Sequence, residues 1–425
     1  MPTRSEGADV VAYRARVIDR ELAQSLQSIG AVVIEGPKAC GKTETARQVA
    51  KSEVRLDVDQ TARQAIAIDP SLVLDGPTPR LIDEWQIAPE IWNHVRRAVD
   101  DRGQRGQFIL TGSAVPRDDE SRHTGAGRFI HLRMRPMTLS ETGHSTDSIS
   151  FADVVAGKSV ACPDPGVTVG DLAQRVAIGG WPVHLGLNAN QAQRAMRGYL
   201  HDICNVDVRH IDGVRRDPKS VMRLIQSLAR NTACPATLQS IVADTNGKDG
   251  AMKVETARDY VDVLARLLIT DDVAAWKPNL RSRTRLRAAS IHHLADPALA
   301  VAAAKASPAR LLTDLNWFGF LFESMVVRDL RVYAEALGGQ VFHYRDESGL
   351  EADVIIEMPD GRWAAFEVKL GASAAIVDAA AANLLSLRDK VNADPPVALG
   401  VITGTGYGLV RKDGVIQAPF GALHA

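Results

Sequence analysis

Apolar residues in the first third of the chain fall into short runs, with spaced sets between them. Ala31-Val32-Val33-Ile34 is β-branched and of strand length, and it reads as a buried strand. Leu81-Ile82, Gln107-Phe108-Ile109-Leu110 and the run Ile130 to Met134 repeat the pattern, while Val54 to Asp59 alternates. The acidic end of that alternating run reads either as facing a nucleotide or as a solvated strand end. From Tyr13 to Ile29 the apolar positions Val17, Ile18, Leu22 and Leu26 recur on one helical face, and Glu44 to Lys51 has few breakers. Strand and helix patterns therefore alternate, which predicts an α/β fold.

The remainder continues in blocks. His144 to Gly170 is rich in Ser, Asp, Gly and Pro and reads as loop with one short helix; Leu172 to His210 reads as helices. Three amphipathic stretches follow. Ser220 to Arg230 carries Val221, Leu224, Ile225 and Leu228, and Pro235 to Asp244 precedes a turn at Asn246-Gly247-Lys248-Asp249-Gly250. Lys253 to Leu268 carries Val254, Ala257, Tyr260, Val261 and Leu264, with a strand predicted from Leu268 to Trp276. Trp317 to Ala334 predicts a helix, then strands over 341–345, 351–356 and 363–369, a helix over 378–387 and a strand over 397–403.

Between the first strand and the next helix stands Gly36-Pro37-Lys38-Ala39-Cys40-Gly41-Lys42-Thr43, a complete G-x-x-x-x-G-K-[ST] loop in the setting the motif requires. Its N–H groups would cradle the β-phosphate, aided by the partial positive charge of the helix N-terminus. Lys42 is placed to reach the β- and γ-phosphates, and the Thr43 hydroxyl to ligate Mg²⁺. Some 40 residues on, Leu81-Ile82-Asp83-Glu84 ends a strand in two acids. Asp83 suits Mg²⁺ held through its water shell, and Glu84 suits polarisation of an attacking water. Thr111-Gly112-Ser113 closes the next strand, where a hydroxyl reads the γ-phosphate or positions the water. Arg128 reads either as an arginine finger for a neighbouring subunit's nucleotide, which requires a homo-oligomer, or as a surface ion pair.

Residues 12 to about 200 resemble the AAA-type (AAA+-related) P-loop ATPases that bacteria and archaea carry fused to a C-terminal domain of long-unknown function. The matching pieces are Arg16-Val17-Ile18-Asp19, the loop itself, Leu81 to Gln86, Phe108 to Ser113, Gly127 to Glu141 and Gly179-Gly180-Trp181-Pro182. The resemblance implies ATP binding and hydrolysis with Mg²⁺, a helical lid after the core, and no defined physiological substrate.

The helical rhythm over 220–276 resembles a winged helix-turn-helix, whose third helix either enters a major groove or packs within the ATPase. Lys277, Arg281, Arg283, Arg285 and Arg287 follow, the arginines at every second residue. An extended strand would set them on one face, as a phosphate-tracking stripe or as a solvated, acid-paired face. Farther on, alternation puts Glu367 and Lys369 on one side of their strand and Phe366 and Val368 on the other. Asp353 on the neighbouring strand lies close enough to share a metal with Glu367, and Glu351 shares its strand face. Two carboxylates holding Mg²⁺ or Mn²⁺ with a lysine steadying a hydroxide suit phosphodiester hydrolysis. The set resembles the PD-(D/E)XK nuclease superfamily, and that resemblance implies Glu323, an acid on an otherwise apolar helix face, as the additional helical metal ligand.

Composition narrows this picture. At 425 residues, 45% hydrophobic and 24% charged, the chain suits about three soluble domains: an ATPase with lid over 12–200, a winged helix over 201–290 and a nuclease-like unit over 291–425. A net charge of −1 excludes whole-molecule attraction to nucleic acid, so any basic surface is local. Cys40, Cys162, Cys204 and Cys234 lack metal or disulfide spacing, no apolar run reaches a membrane span, and the polar N-terminus lacks a signal core. A cytoplasmic protein without membrane partners is expected. Two functions stay open: an ATPase coupling nucleotide state to DNA binding or processing, and a nucleotide-switched interaction protein whose nuclease-like domain only binds.

Overall fold

A computed structural model describes residues 12–116, 124–245, 252–277, 289–391 and 393–425. The N-terminal part is built on α1 (Ile18–Ser28), β1 (Ala31–Glu35), α2 (Lys42–Arg47), β2 (Ser52–Arg55), α3 (Gln60–Ile68), α4 (Ser71–Leu74), β3 (Arg80–Asp83), α5 (Ile91–Arg102), β4 (Phe108–Gly112) and β5 (Phe129–Arg133). The strands lie in the order β2-β3-β4-β1-β5, every neighbouring pair parallel. Alternation explains the unbroken apolar runs. Val32, Ile34, Leu81 and Ile109 face α1, whereas Val33, Ile82 and Leu110 face Trp85, Ile91 and Trp92 on the opposite side. Parallel strands end together, so the loops after β1, β3 and β4 converge at one edge. The acidic end of the Val54–Asp59 run is a helix start: Asp59 accepts from the Ala62 N–H and caps α3.

Next come β6 (Ile149–Ser150), α6 (Phe151–Val155), α7 (Val169–Ile178) and α8 (Ala189–Asp202). Reciprocal capping boxes start α7 at Thr168 and Asp171 and α8 at Asn188 and Gln191. One π-helical turn, Ile203–Asp207, joins α8 to α9 (Val208–His210). α10 (Pro218–Arg230), α11 (Leu238–Asp244) and α12 (Val254–Arg266) occupy the three predicted amphipathic stretches. Beyond α12 the chain runs antiparallel to itself, through bridges Thr270–Leu294 and Val273–Ile291. α13 (Pro297–Ala303), buried along its whole length, packs on α7, α8 and α10, and α14 (Pro308–Thr313) packs on α7. Residues 297–313, expected with the C-terminal unit, thus lie among the middle helices.

The C-terminal unit comprises α15 (Leu315–Glu335), β7 (Gln340–Arg345), β8 (Glu351–Glu357), β9 (Trp363–Lys369), α16 (Ala374–Lys390), β10 (Ala398–Thr403), β11 (Leu409–Val410), β12 (Ile416–Pro419) and β13 (Leu423–His424). Its main sheet runs β11-β12-β10-β9-β8-β7. β7 to β9 are antiparallel, and α16 carries the chain across to make β9 and β10 parallel. On β9, Ala364, Phe366 and Val368 join the core of α15, while Trp363 and Ala365 face α16. The core around α15 is continuous with that of α7, α8, α10 and α12, so the middle helices and the C-terminal unit share one interior.

Three further contacts bind the parts together. β6 pairs in parallel with β13, so the segment read as a loop clasps the chain's end. Ala275 bridges His343 on β7, and the Trp276 ring lies 4.7 Å from Trp363, so the stretch read as a strand over 268–276 touches the edge of the C-terminal sheet through an isolated bridge. Buried Arg135, just past β5, donates to Asp271 at 2.6 Å and to Glu335 at 2.5 Å. Burial alone would raise Asp271, but Arg135 and Arg331 outweigh it and hold the carboxyl below its ordinary value. Among the described residues no helix is long and apolar enough to cross a membrane.

Candidate functional site

The loop from Gly36 to Gly41 leaves β1 at the sheet edge where β3 and β4 also end. Gly36 cannot carry a side chain, because a Cβ there would stand 2.2 Å from the Met134 carbonyl oxygen. Gly41 and Ala39 turn the loop through positive φ, 110° and 61°. Lys42 is buried, and its ammonium donates to the carbonyls of Gly36 and Pro37 at 2.9 Å each. Strand register sets the rest. Asp83 ends β3 opposite Thr111 of β4, and both the Thr43 hydroxyl (2.8 Å) and the Thr111 hydroxyl (2.5 Å) donate to its Oδ1.

Glu84 follows with φ 54° and ψ 48°, left-handed backbone that costs a residue with a Cβ about 1 kcal/mol or more. Its carboxylate accepts from the Ser113 hydroxyl at 2.9 Å and from the Gln86 amide. Lys42, Thr43, Asp83, Glu84, Thr111 and Ser113 are thus gathered at one edge. Their oxygen donors fit Mg²⁺, which prefers carboxylate, hydroxyl and water ligands. Arg128 is bound within its own chain, its Nε donating to Asp100 at 2.8 Å. The surface ion pair of the second alternative thus has its partner in Asp100.

The loop is also held from outside, in part by Arg16, Glu141 and Trp181 of the resembling segments and in part by Tyr199 and Asp207, which no motif contains. Arg16 donates to the Cys40 carbonyl (3.0 Å) and pairs with Glu141 (3.1 Å). From the middle helices, Trp181 Nε1 donates to the Lys38 carbonyl at 3.0 Å and the Tyr199 hydroxyl reaches it at 3.4 Å. The Lys38 ammonium pairs with Asp207 at 2.5 Å. On the other side, the Val115 N–H donates to the Arg266 carbonyl at 2.9 Å, which ties α12 to the segment just past Ser113. The exposed positions of α12 and its N-cap Lys253 hold two bases, Lys253 and Arg258, and two acids, Glu255 and Asp262. Lys277 is exposed, whereas Arg281, Arg283, Arg285, Arg287 and the turn at Asn246 to Gly250 lie outside the described residues.

A second polar cluster lies where β8 and β9 run side by side. Asp353 Oδ2 accepts from the Val368 N–H at 2.8 Å and from Lys369 at 3.2 Å. Lys369 also pairs with Glu367 at 2.6 Å, and Asn383 of α16 donates to the other oxygen of Glu367 at 2.6 Å. Burial, then the Asp353 charge, pushes the Glu367 carboxyl up, and Lys369 and Asn383 act against that; burial raises Glu323 as well, with Asp353 adding to it. Burial would lower Lys369, but Asp353 and Glu367 outweigh it and keep the ammonium charged. Among the described residues no three His, Cys, Asp or Glu side chains gather as a metal site requires, while Glu323 lies close enough to feel the charges of Asp353, Lys369 and Glu367. The lysine ammonium takes the bridging place between the two strand carboxylates. Asn383 had no signal beyond being a polar residue in an alanine-rich helix.

Three family models match separate parts of the chain: an AAA domain over residues 28–143, a domain of unknown function (DUF8612) over 169–310 and another (DUF4143) over 318–422. Uncharacterized proteins of Mycobacterium bovis and Mycobacterium tuberculosis are each 25% identical over 358 residues, which is 82% of this chain and 72% of theirs. Among solved structures, the Walker-type ATPase PABY2304 of Pyrococcus abyssi aligns at 13% identity and a TM-score of 0.43, covering 69% of this chain and 99% of that one. The matched N-terminal segment, its parallel sheet and its phosphate-binding loop make this part of the chain a P-loop ATPase domain.

Proposed function

We propose that the protein is a Mg²⁺-dependent ATPase whose nucleotide state governs DNA binding or processing by the C-terminal unit. What carries the first half is the convergence of Thr43 and Thr111 on Asp83, with Glu84 held beside them by Ser113 and Gln86. The loop N–H groups and Lys42 bind and orient the phosphates; Thr43 and Asp83 hold the metal. Glu84 accepts a proton from the attacking water, and Thr111 and Ser113 fix that acid's position. Bound Mg²⁺ supplies charge neutralisation of the phosphate oxygens. Lys42→Ala is expected to abolish Mg·ATP binding in calorimetry with the fold intact. Retained binding contradicts the assignment.

The middle helices with the antiparallel segment after α12 suit a winged helix-turn-helix that serves mainly as a packing module. Lys277 at the start of the arginine-rich segment supports a local nucleic-acid contact. The β7–β8–β9–α16–β10 order behind α15, with Asp353, Glu367 and Lys369 together, suits a PD-(D/E)XK-like unit with its own Mg²⁺ or Mn²⁺. A second reading, a binding module without cleavage, draws on the ammonium that bridges both carboxylates. The two separate on supercoiled plasmid incubated with full-length protein and Mn²⁺. Nicking that Lys369→Ala abolishes supports the nuclease reading; intact plasmid with the wild type supports the binding module. Four free thiols suit a cytoplasmic setting.

A further inference from the structure

On the reading of the loop as the ATP site, Lys38 lies where the loop would face the end of a bound triphosphate. The Lys42 ammonium, the group that meets the β- and γ-phosphates, sits on the carbonyls of Gly36 and Pro37, immediately before Lys38. Yet the Lys38 ammonium is tied to Asp207 at 2.5 Å, a carboxylate 8% exposed on the middle helices. The Lys38 carbonyl is held by the same unit, through Trp181 and Tyr199.

The helix is built to present this acid. Tyr199 and Asp207 are eight positions apart, which on an uninterrupted α-helix leaves them about 80° apart around the axis. The π-helical turn Ile203–Asp207 takes up about one additional residue and brings the two to within about 20° of one face. Both then address Lys38. The backbone irregularity and the ion pair are two observations that point to one contact.

We propose that Asp207 is a positioning residue for Lys38 and through it sets the discrimination between nucleoside tri- and diphosphates. This rests on the reading of the loop as the ATP site. A γ-phosphate offers Lys38 a second, more highly charged partner, and binding it draws the ammonium away from Asp207; a diphosphate leaves the pair intact. The cost of separating Lys38 from a buried carboxylate falls on the triphosphate alone. The same exchange loosens the middle helices from the loop only when the γ-phosphate is present.

The test is calorimetric titration of the full chain with Mg·ADP and with the Mg complex of a non-hydrolysable ATP analogue. Asp207→Asn frees Lys38, and the analogue should bind about five- to tenfold more tightly while ADP affinity holds. In the Lys38→Met background, Asp207→Asn should no longer shift the ratio of the two affinities. A purely structural Asp207 would move both nucleotides together or act equally in both backgrounds, and either result overturns the proposal. Wild-type protein that binds neither nucleotide overturns the loop reading, and the proposal with it. Normal binding with an unchanged ratio overturns the proposal alone.

Discussion

His293 illustrates how position alone sets a residue's chemistry in this chain. It is buried between the antiparallel segment and α15, with its Nδ1 3.2 Å from the Ser324 hydroxyl. Burial, then the Arg331 charge, brings its pKa down to about 4, although Asp271 and Asp272 act the other way. A histidine so placed is neutral in the fold and takes a proton near pH 6.5 once unfolded. Between those two values the unfolded chain binds more protons, so stability falls as pH drops from about 6.5 towards 4. The loss is on the order of 2 kcal/mol by pH 5. Urea melts at pH 7 and 5 should show it, and His293→Gln should flatten the slope whatever its own cost; an equal slope in the variant would contradict the burial argument. Sequence spacing announced Lys42, Thr43, Asp83 and Glu84 because their motifs are local. Asp207 and Asn383 were silent, since each meets its partner only through the fold, 169 and 16 positions away.

Periodicity predicted β1, β3, β4 and β5 of the first sheet, β7 to β10 of the second, and α1, α15 and α16, because buried strands leave apolar runs and amphipathic helices a stripe; α3, α4, α5, β11 and β12 were not read. Pairings between short or solvent-facing segments left no such mark. β6 on β13 and Ala275 on His343 are set by tertiary docking rather than by any local pattern. The helix α15 was legible, but not the extent of what it serves. Phe322 is fully buried, with its ring 5.6 Å from Phe420, in the core shared by the middle helices and the C-terminal sheet. Phe322→Ala should therefore cost about 3–5 kcal/mol in urea unfolding, and both units should melt in one shifted transition. A C-terminal unit that melts separately, with the middle helices unaffected, would contradict a common core.

Across the whole molecule, contacts at the nucleotide edge lead outward. α12 is bonded to the segment past Ser113, Asp207 and Trp181 hold the phosphate loop, and Arg135 joins β5 to Asp271 and Glu335. These contacts and the shared core form a continuous route along which, under the proposed function, a change at the loop would reach the C-terminal cluster. This depends on the loop turning over ATP, with Glu84 as the group that activates water. The most direct measurement is steady-state phosphate release from Mg·ATP by the full chain, wild type beside Glu84→Gln, with Mg·ATP binding of both recorded by calorimetry. The account expects EDTA-sensitive turnover by the wild type and equal binding by the variant, whose turnover falls by roughly 10²–10⁴-fold. Equal rates for the two proteins, or no turnover by a wild type that binds Mg·ATP, would contradict it.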